Sequence, residues 1–419
     1  MRKVKYIQNG SASLKKYNGE LTLGTDIFFT KGIVFSTYAF VILSYMIGFL
    51  EIPSIVRYIS MGCLLGFAFY RVLVYQHIYG RPFFVWGAVF ISLMFASLFY
   101  SPSSELAWRG ISAYLIVFAM VGSMIQVTQD YEHLKIILNA FVISAVLISL
   151  LSFTLYYNDL FSGQRFDVSG NANDIMVKML LPVCILIYRC FTEKKQSLFN
   201  FILLIPCATV LMLTGSRKGL FIPVVFTVFF IFLNQKSRIL KRGLMTLLIL
   251  VFIGYLIFQI PELYTAVGQR VEYFIAPLLG SGDTTYFSDL ARERFRRQAL
   301  SMFLSSPIIG HGINAFESIY GTYSHNNYTE LLSSLGLVGF ISFYSIYVYC
   351  FGQLLKLRKI MGADKNLNDF AISLLIANLF FDWGAVSFDI LYSMISLAVA
   401  VSVILLTKRK VRQEVIASE

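Results

Sequence analysis

The chain has 419 residues, 57% of them hydrophobic and 14% charged, with a net charge of +12. A water-soluble domain sits near ~45–50% apolar and roughly a quarter charged, so no soluble core absorbs this composition and the bilayer must act as solvent for most of the chain. The excess of basic residues does not point to nucleic acid, because basic cytoplasmic loops of a membrane protein account for that sign without a polyanionic partner.

An apolar helix of about 20 residues crosses a bilayer. Apolar windows predict spans near 33–50, 53–75, 83–100, 108–127, 134–157, 172–191, 198–214, 219–234, 243–260, 326–352, 367–385 and 388–406. The expected fold is an all-α integral membrane protein of about twelve transmembrane helices. A tail over 1–32 precedes nine spans within 33–260, a large loop covers 261–325, three spans lie within 326–406, and a second tail follows over 407–419. Residues Met1 to Glu20 are polar and basic and do not resemble a removable leader, so a cytosolic tail is expected. Cys63, Cys184, Cys190, Cys207 and Cys350 lie in or beside spans without CxxC spacing, as packing residues do.

Lys and Arg distribution sets the orientation. The groups Arg2 to Lys31, Lys194–Lys195, Lys236 to Arg242, Lys356 to Lys359 and Lys408 to Arg412 all face one compartment under a twelve-span count. That compartment is the cytoplasm, with both termini in it, and the protein is expected in a bacterial cytoplasmic (inner) membrane. Arg165, Arg217, Lys218, Arg270, Arg292, Arg294, Arg296 and Arg297 fall on the other side, where topology gives no reason for positive charge. Lys178 lies inside the span 172–191 beside Asn171, Asn173 and Asp174. An ionisable group at membrane depth is a functional candidate, and pairing with Asp174 one turn away is the structural alternative.

The segment from Pro261 to about Ser324 is the one long loop, and loops beyond about 15 residues are usually functional or disordered. Within it, Asp289 to Leu304 alternates Leu290, Phe295, Ala299, Leu300 and Phe303 with Arg292, Glu293, Arg296 and Arg297, the pattern of an amphipathic helix that Ser305, Ser306 and Pro307 terminate. An interfacial helix touching anionic head groups is its bland reading. Then come Gly310-His311-Gly312 and Tyr323-Ser324-His325-Asn326-Asn327, leading into the tenth span. A histidine with an ordinary pKa of about 6.5 at the membrane surface is suited to act as general base.

Four stretches together resemble the O-antigen ligase and polymerase superfamily of Wzy-type polymerases and WaaL-type ligases. His325-Asn326 followed after nine residues by Gly336 and then Gly339 is similar to the family signature at the end of its large external loop. Thr214 to Gly219 resembles its external Ser-Arg turn, Arg292 to Gly312 its Arg-bearing helix followed by Pro-Ile-Ile-Gly, and Gly170 to Asn173 its Gly-Asn-x-Asn entry to a middle span. The resemblance covers residues 160–350 in detail.

The resemblance implies a GT-C-like, metal-independent, inverting glycosyltransferase that uses an undecaprenyl-diphosphate-linked oligosaccharide as donor on the outer face. No cofactor or metal site is implied. The bilayer and a chain-length regulator are implied partners. His325 and Arg217 then carry the catalytic roles; Arg165, Arg217, Arg292, Arg296 and Arg297 are the diphosphate candidates; and Lys218, Asn326, His311, Asn173 and Lys178 are the substrate candidates. Which loop arginine grips phosphate stays open. Arginine suits the task because its planar fork binds phosphate oxygens in pairs. Tyr323, Tyr328 and Trp108 are candidates for sugar stacking, and Asp382 and Asp389 for the acceptor path. A polymerase of capsular or O-antigen-type repeats is the leading expectation, a ligase the alternative, and a lipid-linked oligosaccharide flippase the alternative from another class.

Overall fold

A computed structural model of the chain describes residues 23–162, 164–168, 170–234, 248, 252, 254–256, 258–269, 272, 287–360 and 364–418. Among these residues the regular elements are all helices. They are α1 (Leu23–Met46), α2 (Ser54–Tyr75), α3 (Arg81–Ser97), α4 (Ser104–Val127), α5 (Tyr131–Thr154), α6 (Tyr157–Leu160), α7 (Ala172–Thr192), α8 (Ser197–Leu213) and α9 (Arg217–Leu233). After a short turn at Pro261–Leu263 come α10 (Phe287–Ser305), α11 (Ala315–Tyr320), α12 (Asn327–Arg358), α13 (Lys365–Asp382) and α14 (Leu391–Ser418).

Six of these are long and apolar enough to cross a bilayer: α2, α4, α5, α7, α12 and the Leu391–Gln413 part of α14. Thr30–Met46, α3 and α8 are apolar but shorter. The expected span over 243–260 falls largely outside the described residues, as do Arg270 and most of the N-terminal tail. The amphipathic loop helix forms as expected, as α10, and Ser306 N–H closes it on the Met302 carbonyl.

Lipid tails are as apolar as leucine, so helix association in a membrane relies on close packing and interhelical hydrogen bonds. Both are present. Phe40, Phe83, Phe90, Phe226, Phe230, Phe343 and Phe370 are fully buried between helices. The Trp86 indole N–H donates to the Ser342 carbonyl at 2.8 Å, joining α3 to α12. Arg189 donates to Asn139 at 2.6 Å, and Asn378 to the Tyr347 hydroxyl at 2.7 Å.

Because consecutive helices run in opposite directions, alternate connections collect at two ends. At one end the Tyr156 hydroxyl donates to Phe49 O at 3.1 Å, Phe166 N–H to Leu213 O at 2.8 Å, and Ile313 N–H to Ser97 Oγ at 3.1 Å. At the other, Arg409 donates to Gln129 O at 3.0 Å, Arg71 to Val127 O at 2.6 Å, and Asn234 to Asn366 at 2.7 Å.

Helix α12 is broken where hydropathy reads it as continuous. Gly336 adopts φ 62°, ψ −162° inside it, a backbone conformation closed to other residues at low cost. The break frees Leu337 N–H and Val338 N–H, which donate to Pro307 O at 2.9 Å and Ile308 O at 3.1 Å. It also frees the carbonyls of Ser333 and Ser334, which accept from His311 N–H at 3.0 Å and Gly312 N–H at 2.8 Å. The segment 307–312 thus plugs the gap in α12 and fixes the loop end against the bundle. A Cβ on Gly336 would lie 2.4 Å from the Ile308 carbonyl, and one on Gly310 2.5 Å from the Ser334 carbonyl. Gly336→Ala is therefore expected to destabilise the fold by about 2 kcal/mol or more. Gly352→Ala, on the same helix with nothing within 4 Å, is expected to cause no loss. The thermal unfolding midpoint of the detergent-solubilised chain separates the two.

Candidate active site

The turn between α8 and α9 begins the site. Thr214 ends α8, Gly215 reverses the chain at φ 61°, and α9 starts on Arg217 and Lys218. Two cations in a first turn oppose the helix dipole, which favours negative charge there. Their placement is unfavourable for helix stability and favourable for an anion arriving at that terminus.

Arg165 is carried to the same turn by the α6–α7 connection, where its Nε donates to Thr214 O at 2.9 Å. Its guanidinium also donates to Asn173 Oδ1 at 3.3 Å. The Gly-Asn-x-Asn stretch is built for this. Gly170 turns the chain at φ 82°, the Asn171 side chain caps α7 by accepting from Asn173 N–H at 3.0 Å, and Asn173 orients Arg165.

From the opposite side α10 contributes Arg292. Its charge acts on Lys218, on Tyr323 and on His325, while Arg165 and Arg217 also act on Lys218. The Lys218 ammonium donates to Gly384 O at 2.6 Å and sits 5.2 Å from the Phe381 ring centre. Burial, then the charges of Arg292, Arg165 and Arg217, push the Lys218 amine down to about 7, so a nearby anion favours its charged form. These four basic groups form one cluster that reaches His325 through Arg292 and Lys218.

Arg296 and Arg297 lie one turn further along and share a carboxylate. Both pair with Glu293, Arg297 at 3.0 Å, and Arg296 lies 5.7 Å from the Trp383 ring centre. The hydrogen bond from Arg297, then the charge of Arg296, holds the Glu293 carboxyl below its usual range. Of the three loop arginines, Arg292 is the one whose charge reaches the imidazole.

His325 occupies the apex before α12 in a left-handed conformation, φ 61°. Such backbone strain in a non-glycine residue of order 1 kcal/mol persists where surroundings over-determine it, often at functional sites. The ring stacks on Phe295 at 5.9 Å and 21°, and touches Tyr323 at 4.1 Å between centres. Phe295 follows Arg292 by three residues, so one face of α10 presents both to the histidine. Burial, then the charges of Arg292 and Lys218, push the imidazole down to about 4 from 6.5. It is neutral at physiological pH and able to accept a proton. The folded chain holds this proton more weakly than the unfolded one, so this group's contribution to stability falls as pH drops from about 6.5 through 4.

Other candidates have structural partners. Asn326 caps α12 by accepting from Thr329 N–H at 3.0 Å and donates to Trp383 O at 3.0 Å. His311 Nε2 lies 2.9 Å from both Ser305 Oγ and Met302 O, closing the end of α10. Lys178 pairs with Asp174 at 2.7 Å and donates to Ile47 O at 2.9 Å, tying α7 to the α1–α2 turn. These four, Asn173 included, shape the frame that holds the cations. Asp382 is fully buried and accepts from the Tyr344 hydroxyl at 2.9 Å and from Ser387 Oγ. Trp108 sits apart, exposed beside Phe95.

Sequence reasoning missed Phe295 as the ring that backs His325 and missed Gly384 as the acceptor of Lys218. The first carried a signal, its three-residue spacing from Arg292; the second carried none, since its partner is 166 positions away.

The fold and the site together are those of a polytopic helical membrane protein with a histidine beside clustered basic groups at one end of its bundle. Residues 201–344 match the family model described as O-antigen ligase, and this match supports the O-antigen ligase/polymerase superfamily. No curated protein matches it. The matched stretch includes Arg217, Lys218, Arg292, His325 and Gly336, and excludes Arg165, Asn173 and the turn at Trp383. An O-antigen ligase/polymerase type of function, and hence an enzyme, follows.

Replacing Arg292 by Met removes a like charge from the histidine and is expected to raise its titration midpoint above about 4. Arg297→Met, with its charge satisfied by Glu293, is expected to leave it in place. Histidine carbon NMR of the labelled protein reads both.

Proposed function

We propose that this protein is a metal-independent, inverting polysaccharide polymerase that transfers a growing glycan from undecaprenyl diphosphate to the sugar hydroxyl of a lipid-linked repeat unit. The observation that carries this reading is that Arg292 and Lys218 both act on His325, while Arg165, Arg217 and Arg292 surround Lys218. As the bond from the anomeric carbon to the phosphate oxygen breaks, negative charge develops on the diphosphate, and the four cations are preorganised to meet it. The acceptor oxygen attacks the anomeric carbon from the opposite side, its proton passes to the His325 imidazole, and undecaprenyl diphosphate leaves. Metal independence is supported by the donor chemistry, since cations fill the role that a carboxylate-held divalent ion fills elsewhere.

The depressed basicity of His325 suits an ordered reaction. A bound diphosphate offsets the charges of Arg292 and Lys218, so the imidazole becomes a stronger base once the donor is in place. We read the topology as twelve spans with both termini in the cytoplasm of a bacterial inner membrane. The end holding Arg409 and Lys408 then faces the cytoplasm, and the end holding His325 faces outward. Lys356 lies near enough to Lys408 to act on it, so both basic groups share that end.

A ligase that moves the glycan to a different anchor is the second reading, favoured by the description of the matching family. Purified protein in vesicles, given one lipid-linked repeat unit and no other acceptor, separates the two: elongation is expected of a polymerase, and no product of a ligase. In that assay Arg217→Ala, Arg292→Ala and His325→Ala are each expected to lose about 100-fold or more in rate. Arg297→Ala is expected to stay within about threefold, as for an exposed ion pair. Full activity of His325→Ala removes the general base from the mechanism. The acid limb of kcat/KM, which reports the free enzyme, is expected near pH 4 and not near 6.5; chelation is expected to leave the rate unchanged.

A further inference from the structure

The turn between α13 and α14 touches both halves of the site through two consecutive carbonyls. Trp383 O accepts from Asn326 Nδ2 at 3.0 Å, and Gly384 O accepts from the Lys218 ammonium at 2.6 Å. Asn326 directly follows His325 and caps the helix that the histidine precedes. The same turn is held a second time, because Asn327 Oδ1 accepts from Ser387 N–H at 3.0 Å and Phe388 N–H at 3.1 Å. Asn327, fully buried, in turn donates to the hydroxyl of the half-buried Tyr344 at 3.0 Å, and that hydroxyl donates to the fully buried Asp382. The turn is therefore a fixed object relative to the histidine and not a loose connection.

Position 384 has a specific steric relation to the cation. A Cβ there would lie 2.8 Å from Lys218 Cδ, 3.4 Å from Cγ and 3.7 Å from Cε. Glycine at this position lets the lysine stem lie flat over the turn and bring its ammonium to the Gly384 carbonyl, whereas a methyl group there would make the stem shift. The Phe381 ring, 5.2 Å from the ammonium, closes the other side.

We propose that Gly384 is a positioning residue. It holds the Lys218 ammonium at a set distance from His325, so that phosphate charge and proton acceptor are in register when a lipid diphosphate binds. This rests on the reading of the site as a diphosphate clamp, and it extends the functional unit beyond residues 201–344 into the last helical pair. Gly384 contacts no substrate in this scheme. It acts through Lys218, by a backbone carbonyl on one side and a missing side chain on the other.

Gly384→Ala displaces the lysine without changing any charge, which permits a double-mutant cycle. Binding of inorganic pyrophosphate to the full chain in detergent, followed by calorimetry, is the readout that does not depend on acceptor chemistry. Gly384→Ala is expected to weaken binding about tenfold, the scale of one charge-assisted hydrogen bond. Lys218→Ala is expected to weaken it by a similar factor, and the double variant is expected to be no weaker than Lys218→Ala alone. Because alanine at 218 lacks the stem that would clash, the double variant folds even where Gly384→Ala does not, and its equality with Lys218→Ala then supports the proposal. Gly352→Ala, remote from the site, serves as the unchanged control.

Wild-type binding by Gly384→Ala overturns the positioning role. So does a double variant weaker than Lys218→Ala by the full product of the single effects. Wild-type binding by Lys218→Ala instead removes Lys218 from the diphosphate clamp, and so distinguishes failure of the site reading from failure of Gly384.

Discussion

Like charges held together in a partly water-excluded space repel, and this protein gathers Arg165, Arg217 and Arg292 around Lys218, with Arg292 and Lys218 acting in turn on one neutral histidine. Two of these stand at a helix N-terminus, where the dipole adds to the repulsion. Repulsion of this kind lowers stability, and the surrounding structure has to hold the cluster in place. Bound anion relieves the repulsion. The cluster therefore favours a multiply charged ligand over a neutral one.

Much of the framework can be understood as the means of holding that cluster. Asn173 aims Arg165, the Gly384 carbonyl accepts Lys218, and α10 is fixed at its end by His311. The break at Gly336 matters for the same reason. A continuous helix would leave the 307–312 segment without hydrogen-bond partners near the membrane surface, where unsatisfied backbone groups are costly. By opening α12 at one glycine, the chain provides two donors and two acceptors that bind the loop end, and α10 with its Arg292 is anchored as a result. Strain at His325 is sustained by the cap that Asn326 makes one residue later.

The sequence made the helical membrane class legible because hydrophobic run length is a one-dimensional property. It also made α10 legible, since its amphipathic period and its Ser-Ser-Pro stop are local signals. The choice among Arg292, Arg296 and Arg297 was less open than the motif suggested. Glu293 lies three and four residues before Arg296 and Arg297, so helical spacing alone pairs it with both. Lys178 was readable in the same way, through Asp174 four residues earlier. What could not be read was tertiary. Hydropathy is blind to φ, so Gly336 stood as a motif residue with no visible break, and the contact of Lys218 with Gly384 joins helices whose relative placement no local pattern encodes.

Ligand-linked stability tests the central claim most directly, because anything that binds only the folded state raises its unfolding midpoint in proportion to occupancy. The measurement is the thermal midpoint of the full chain in detergent as undecaprenyl diphosphate is titrated in, beside the same titration with undecaprenyl alcohol. The cationic cluster predicts a saturable rise with the diphosphate, none with the alcohol, and loss of the rise in Arg292→Met. Equal rises with both lipids, or an undiminished rise in Arg292→Met, would contradict it.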